Sequence, residues 1–190
     1  EFDNDPTQPP VIFMKPPQSL LMPGETIDLI AEAGALHYET ELVVLIGSAG
    51  KVTDPARAPE FIRALGVGSD LTLRELQTEL RRKGAPWECS KAFEKSAPLG
   101  RLHAFDPERD RLDGLTFAGY VNGELRQSGC SGKMIYPIPR LLVELSRYWS
   151  LLPGDLIYTG TPSGVGALHP GDVMKLIDHR GSEFSWRVSA

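Results

Sequence analysis

Cysteine is scarce: the 190 residues hold only Cys89 and Cys130, far apart and outside any C-x-x-C spacing. That argues against a disulfide framework or a cysteine zinc site, and makes a reduced, cytoplasmic protein the default expectation. No run of about 18 apolar residues occurs, so no helical membrane span and no membrane partner are expected. An excess of positive charge is missing as well. Lys plus Arg number 20 against 25 Asp plus Glu, a net charge of −5, which makes the chain a poor candidate for non-specific nucleic-acid binding. Low-complexity stretches are absent, because the 19 Gly and 16 Pro are scattered through the chain as turn formers. The given N-terminus spells no signal-peptide pattern and no starting Met; Glu1-Phe2-Asp3-Asn4-Asp5-Pro6 reads like the interior of a loop, and the expectation is that the sequence begins inside a longer protein. What is present, 41% hydrophobic and 24% charged residues with no internal linker, suits one globular domain over residues 1–190.

The local pattern predicts many short strands and few helices. Val11–Lys15 is an apolar run closed by Pro16-Pro17, read as a strand ending in a turn. Thr26–Ala31 and Leu36–Ile46 read as strands, the second rich in β-branched residues and ended by Gly47. Asp54-Pro55 spells an N-cap and N1 proline for a helix to about Leu65. Thr72-Leu73-Arg74-Glu75 spells a capping box, and Leu73, Leu76 and Leu80 follow at helical spacing, predicting a helix from about Leu73 to Lys83 stopped by Gly84. Asn122-Gly123 between Leu115–Val121 and Glu124–Gln127 is a hairpin signal. Pro137–Trp149 places Ile138, Leu141, Leu142, Leu145 and Trp149 on one helical face. Pro153-Gly154 and Pro170-Gly171 are turns leading into strands at Leu156–Thr159 and Val173–Ile177, and Glu183–Val188 closes the chain. Strands that do not alternate with helices imply an α+β fold with a mixed, mostly antiparallel sheet.

Several residues can carry chemistry. On a strand, residues two apart share a face, so His37, Glu39 and Glu41 point the same way, with successive positions roughly 6.6 Å apart. Val43 and Leu45 continue that face and are apolar, so the two acids border buried territory, where adjacent carboxylates repel unless a proton or a metal neutralises them. The plainer alternative is an exposed strand end with two solvated acids. Asp70 precedes a helix start and can be a capping acid, although Thr72 already spells that cap. Three carboxylates with waters form a hard-oxygen site for Mg²⁺ or Mn²⁺. Lys91, among small and aromatic residues, can hold a substrate carboxylate or stabilise an enolate, or can be a surface lysine. Thr159–Gly166 is a Gly-rich loop without the Gly-Lys-Ser/Thr of a P-loop; it can cradle a small anion or simply form a tight turn. Cys130 has no evident histidine partner, and His103, His169 and His179 read as loop residues without a role.

Seven segments in this order resemble the fumarylacetoacetate hydrolase family, in its short acylpyruvase-like subgroup: Val11–Pro16, His37–Gly47, Asp70–Gln77, Pro86–Pro98, Val121–Gln127, Met134–Ile135 and Leu152–Gly166. The resemblance implies a mixed β-roll or sandwich with flanking helices, and a homodimer. It implies a divalent metal, Mg²⁺ or Mn²⁺, on Glu39, Glu41 and Asp70, and it matches Lys91 to the active-site lysine. Arg74 and Gln77 match polar residues facing substrate or supporting the metal shell, and Thr161 matches a threonine that meets the substrate carboxylate. The implied substrate is a small 2-oxo or 1,3-diketo acid, with Lys91 adding positive charge to the enolate that develops. Hydrolysis of an acylpyruvate is the leading expectation. Tautomerisation or decarboxylation of oxaloacetate is the alternative, and a non-catalytic 2-oxo-acid-binding protein is a second one.

One departure follows from the same resemblance. The family base is a His three residues ahead of a Glu in a lid upstream of the Val11–Pro16 segment. Glu1 aligns with that Glu and joins Lys91 in the catalytic set, while the His and the first strand would precede residue 1. A terminal, solvated Glu1 has no source for the raised pKa a base needs, so the expectation is that the missing parts belong to a longer protein.

Overall fold

The computed structural model describes residues 8–30 and 34–190. Glu1 lies outside the described residues, as does Ala31 at the end of the expected second strand. Strands β1 (Leu20–Leu21) and β2 (Thr26–Ile27) are two residues each. Next come β3 (Leu36–Tyr38), β4 (Thr40–Ile46), a 3₁₀ turn at Pro55–Phe61, β5 (Ile62–Ser69) and β6 (Thr72–Leu73). Helix α1 (Arg74–Arg82) leads to the short strands β7 (Ala97–Pro98) and β8 (His103–Ala104). The hairpin of β9 (Thr116–Val121) and β10 (Glu124–Cys130) precedes helix α2 (Ile138–Tyr148). The chain ends with β11 (Leu156–Tyr158), β12 (Gly166–Leu168), β13 (Val173–Ile177) and β14 (Glu183–Val188).

Two larger sheets dominate: β10-β9-β13-β14-β2 and β11-β4-β5-β8. A three-stranded sheet β12-β3-β6 and the pair β1-β7 complete the set. Only β1–β7 and β14–β2 run parallel among the described pairs, so the sheet is mixed and mostly antiparallel, as the residue pattern predicts. Leu42, Val44, Ile46, Leu65 and Val67 of the four-stranded sheet form one core with Met174, Leu176, Trp186 and Val188 of the five-stranded sheet and with Ile138 and Leu142 of α2. Each such side chain contributes roughly 1.5–3 kcal/mol on burial, more than the roughly 0–1 kcal/mol of a surface ion pair such as Arg57–Glu60. Burial therefore sets the relation between the sheets. No helix among the described residues is long and apolar enough to cross a membrane.

Turn chemistry is realised where the sequence spells it. Asn122 and Gly123 both take positive φ, 52° and 81°, the backbone a two-residue hairpin needs to match strand twist. Helix α1 stops at Gly84, with φ of 65°, and β13 and β14 start and end where the apolar alternation does. Gly68 has a different role. A Cβ there would meet Pro98 O at 2.7 Å and the Tyr158 ring at 2.6 Å, so only glycine lets β5 pass beneath that ring.

Five local expectations are corrected by tertiary contacts. Among the described residues Val11–Lys15 pairs with no strand, and it runs on into the short 3₁₀ turn Pro17–Ser19; it is anchored by the Lys15 side chain, and the two prolines supply no N–H for a ladder. Leu36–Ile46 is not one strand but two, broken at Glu39, because β3 pairs with β6 and β12 while β4 pairs with β5 and β11. Asp54 does cap, accepting from Ala56 N at 2.9 Å, yet the turn ends at Phe61 and Ile62 enters β5; Pro59 inside it cannot donate to an α-helical ladder. The capping box at Thr72 is not formed. Thr72 belongs to β6, its hydroxyl donates to Asp70 O at 3.1 Å, and Leu73 occupies the N-cap. On α2, Trp149 falls just past the helix and is 41% exposed, so it is not part of the buried face.

Candidate functional site

The three acids singled out from spacing meet in one buried place. Glu39, Glu41 and Asp70 each present a carboxylate oxygen, and these oxygens lie within 4.8 Å of one another. The backbone explains why. Glu39 sits at the break between β3 and β4, Glu41 is on β4, and Asp70 follows β5, the partner of β4. Asp70 N donates to Glu39 O at 2.8 Å, and Glu39 N donates to Ser69 Oγ at 3.2 Å. The two strand ends are thereby tied, and all three residues are at most 7% exposed. The alternative of a solvated strand end is ruled out by that burial.

Cations face the acids. Lys91, 3% exposed, places Nζ 2.7 Å from Glu39 Oε2 and 2.5 Å from Asp70 Oδ2. Burial opposes its charge, but Asp70 and Glu39 outweigh that and hold its pKa above the ordinary lysine value. Arg74, at the start of α1, pairs with Glu39 Oε1 and donates to Gln77 Oε1 at 2.8 Å. Burial raises the Glu39 pKa, yet Lys91 and Arg74 together pull it below the carboxylate norm. Glu41 has no such partner. Its contact is the Gly160 N–H at 2.7 Å, and burial with repulsion from Asp70 and Glu39 pushes its pKa up to about 8.

The Gly-rich loop is stitched to β4, which carries Glu41. Gly160 N holds Glu41, and Thr161 Oγ1 donates to Thr40 O at 2.9 Å. The sequence-predicted residues Glu39, Glu41, Asp70, Lys91, Arg74, Gln77 and Thr161 therefore form one connected network. Glu1 lies outside the described residues.

Two residues of this site went unread in the sequence. Lys15 is one: its Nζ lies 2.7 Å from Asp70 Oδ1 and donates to Ser96 O and Ser96 Oγ, both at 2.9 Å, and to Lys91 O. Burial lowers its pKa, with Asp70 working against that. Its only sequence signal is its place in the Val11–Pro16 segment. Gln127 is the other. It is 1% exposed, accepts from Thr40 N at 2.8 Å, and donates to Thr161 Oγ1 at 2.8 Å and Pro162 O at 2.9 Å. Thr40 lies between the two glutamates, so Gln127 fixes both the start of β4 and the loop. Replacing it by Ala would leave Thr40 N unpaired. Gln127→Ala is expected to cost about 1–3 kcal/mol, read as a lower Tm in thermal unfolding. Leu125→Ala, at a 56% exposed position of the same strand, is expected to stay within about 0.5 kcal/mol.

The donor set fits a hard divalent cation. With its pKa pushed up to about 8, Glu41 is held mostly protonated near neutral pH, a state that a nearby positive charge would reverse, and Asp70 Oδ1 has no aligned hydrogen-bond donor among the described residues although Lys15 lies near it. All the ligand atoms are carboxylate oxygens, which suits Mg²⁺ or Mn²⁺ rather than a softer metal.

Comparison with known proteins decides the family. The C-terminal fumarylacetoacetate (FAA) hydrolase family model matches residues 2–179. The chain belongs to the fumarylacetoacetate hydrolase family. Within it, the chain is 38% identical over 164 residues to the oxaloacetate tautomerase YcgM of Escherichia coli K12, covering 86% of this chain and 74% of that protein. It is also 38% identical over 160 residues to a fumarylpyruvate hydrolase of a Ralstonia species, covering 84% and 82%. The crystal structure of fumarylpyruvate hydrolase from Pseudomonas aeruginosa in complex with Mn²⁺ and pyruvate superposes with a TM-score of 0.89 at 35% identity, covering 96% of this chain and 80% of that one. The family's relatives thus include both hydrolases and oxaloacetate tautomerases, on the fold this chain shares.

Proposed function

We propose that this chain is a divalent-metal-dependent enzyme for 2-oxo and 1,3-diketo acids that hydrolyses the C–C bond of an acylpyruvate. The observation that carries the reading is the buried meeting of three carboxylates with Lys91, Lys15 and Arg74. A divalent ion on the carboxylates would polarise the keto and carboxylate oxygens of the substrate and take up charge as an enolate forms. The rest of the work falls to the chain. Lys91 brings a second cation to the same oxygens. Arg74 and Gln77 orient the ligand carboxylate Glu39, and the Thr161 loop, fixed by Gln127, receives the substrate carboxylate. The presence of pyruvate in the Pseudomonas relative's structure supports a pyruvate-bearing substrate, since pyruvate is what acylpyruvate hydrolysis releases.

A second reading is keto–enol tautomerisation or decarboxylation of oxaloacetate. It is supported by the name of the E. coli relative and by chemistry, because it uses the same enolate-stabilising cations without an attacking water. The two readings separate in one experiment. With Mg²⁺ present, enol absorbance is followed for acetylpyruvate and for oxaloacetate, and pyruvate is assayed. Pyruvate from acetylpyruvate, lost with EDTA, is the expected result. Fast enol decay of oxaloacetate without pyruvate would replace the hydrolase reading by the tautomerase, and pyruvate from oxaloacetate alone by the decarboxylase. Inertness toward both would overturn the enzyme reading for these substrates and favour a 2-oxo-acid-binding protein.

A further inference from the structure

A second polar cluster lies at the other end of β5. Strand β8 pairs with β5 at Ala64 and Leu65, five or six positions before Asp70 and so roughly 16–20 Å away along the strand. One half of this cluster is fully paired. His103 Nε2 lies 2.7 Å from Asp178 Oδ2, and Asp178 Oδ1 accepts from Arg180 N at 2.8 Å and Ser182 N at 2.9 Å. That half holds the turn between β13 and β14.

The other half is only partly paired. A cavity of about 390 Å³ is lined by Arg109, Asp110, Arg111, Leu115, His179 and Arg180. The His179 side chain is only 3% exposed, yet among the described residues neither ring nitrogen has a hydrogen-bond partner, and the buried Nε of Arg180 has none either. Asp110 does not supply them. Its Oδ2 accepts from Arg180 Nη2 at 2.7 Å and from Asp106 N at 3.0 Å, while its Oδ1 stands 3.6 Å from His179 Nε2, beyond hydrogen-bond range. Arg109 is exposed, and its guanidinium makes no ion pair or hydrogen bond among the described residues. Buried polar groups in folded proteins are met by a partner, so three unmet nitrogens around one cavity call for a ligand.

The chemistry of those atoms selects its class. A metal is disfavoured, because among the described residues only Glu39, Glu41 and Asp70 bring three ligand atoms together. The unmet groups are instead a guanidinium N–H and an imidazole, with the free charge of Arg109 nearby, which is a donor set for an oxyanion. Burial pushes the His179 pKa down, with Asp110 acting against it. A neutral imidazole donates from one nitrogen and accepts at the other. The acceptor suits a hydroxyl on the ligand. The volume also falls within the roughly 300–1,000 Å³ of small-molecule pockets.

We propose that this cavity is a second ligand site, separate from the three-acid centre, that binds a small hydroxylated phosphate ester. Arg180 Nε and Arg109 meet the phosphoryl oxygens, and His179 reads the neighbouring hydroxyl. The test is isothermal titration of the full chain with glycerol 3-phosphate and, separately, with inorganic phosphate. Saturable binding of glycerol 3-phosphate is expected, weakened about tenfold or more by Arg109→Ala and by His179→Leu. Arg109 is a surface residue, so Arg109→Ala keeps the test valid if the His179 variant folds poorly. Binding is expected to survive Lys91→Met, which disables the three-acid centre. Tighter binding of the ester than of phosphate supports the hydroxyl contact; equal affinities would overturn that contact and reduce the site to one for free phosphate. Absence of binding by both probes, binding unchanged in Arg109→Ala, or loss of binding in Lys91→Met would overturn the proposal.

Discussion

Asp70→Asn and Glu39→Gln are each expected to abolish divalent-metal binding, and turnover with it. Both substitutions keep the shape of the side chain and remove one negative charge. With Glu41 protonated in the metal-free chain, a single ionised carboxylate then faces Lys91, Lys15 and Arg74, so the site is more positive than in the parent chain before any metal arrives. Replacing partners that only orient metal ligands typically costs about 10–100-fold in affinity, and loss of a ligand in this crowded cationic setting is expected to exceed that. Titration with Mn²⁺ reads the binding, and the enol assay reads the turnover. The fold should survive, because the core cluster of Leu42, Val44 and Leu65 is untouched. Full activity of either variant in metal-free buffer would sink the assignment of these residues as ligands.

The second large effect concerns Glu41 and pH. Its ordinary value is 4.5, and in the folded, metal-free chain it is pushed up to about 8 by burial, Asp70 and Glu39. Between those values the folded state holds a proton that the unfolded state has released. Stability therefore falls as pH rises from about 4.5 to 8. Below that window both states are protonated and the cost disappears. One pKa unit is worth about 1.4 kcal/mol, so the loss across the window amounts to a few kcal/mol, roughly 10 °C in Tm for a chain of this size. In EDTA, Tm is expected to drop between pH 5 and pH 8, and Mn²⁺ is expected to restore it by supplying the charge that Glu41 lacks. Glu41→Gln mimics the protonated acid. In EDTA at pH 8 that variant should melt above the parent chain, although it no longer binds metal well. A flat Tm from pH 5 to pH 8 in the parent chain would show that Glu41 ionises freely, and would remove the electrostatic reason for a cation there.

Much of the site was legible in one dimension, for a simple reason. Glu39 and Glu41 are two residues apart, and Asp70 is the residue immediately after the strand that pairs with theirs. Strand periodicity and the apolar run after Glu41 announce acids at the edge of a core. The strand period does not reveal the break at Glu39, which lets β3 and β4 join different sheets, because no local propensity marks it. Lys15 was unread because a lysine before Pro16-Pro17 looks the same in sequence whether it is buried or free. Its burial comes from Asp70 and the carbonyls of Leu71, Lys91 and Ser96, all far along the chain. Gln127 was unread for the same reason, since Thr40 lies 87 residues away.

Local sequence signals suffice for the mostly antiparallel architecture, the Asn122-Gly123 hairpin, the two α-helices and the three acids. Those follow from hydrophobic period, from turn residues that tolerate positive φ, and from carboxylates placed beside apolar runs, all of which act over a few residues. The tertiary structure alone decided that Glu41 is left without a cation, that Lys15 and Lys91 flank Asp70, and that Gln127 locks the Thr161 loop to β4. It also decided that His179 and Arg180 enclose unmet nitrogens. Each of these depends on desolvation and on hydrogen bonds between segments that meet only when the sheets pack.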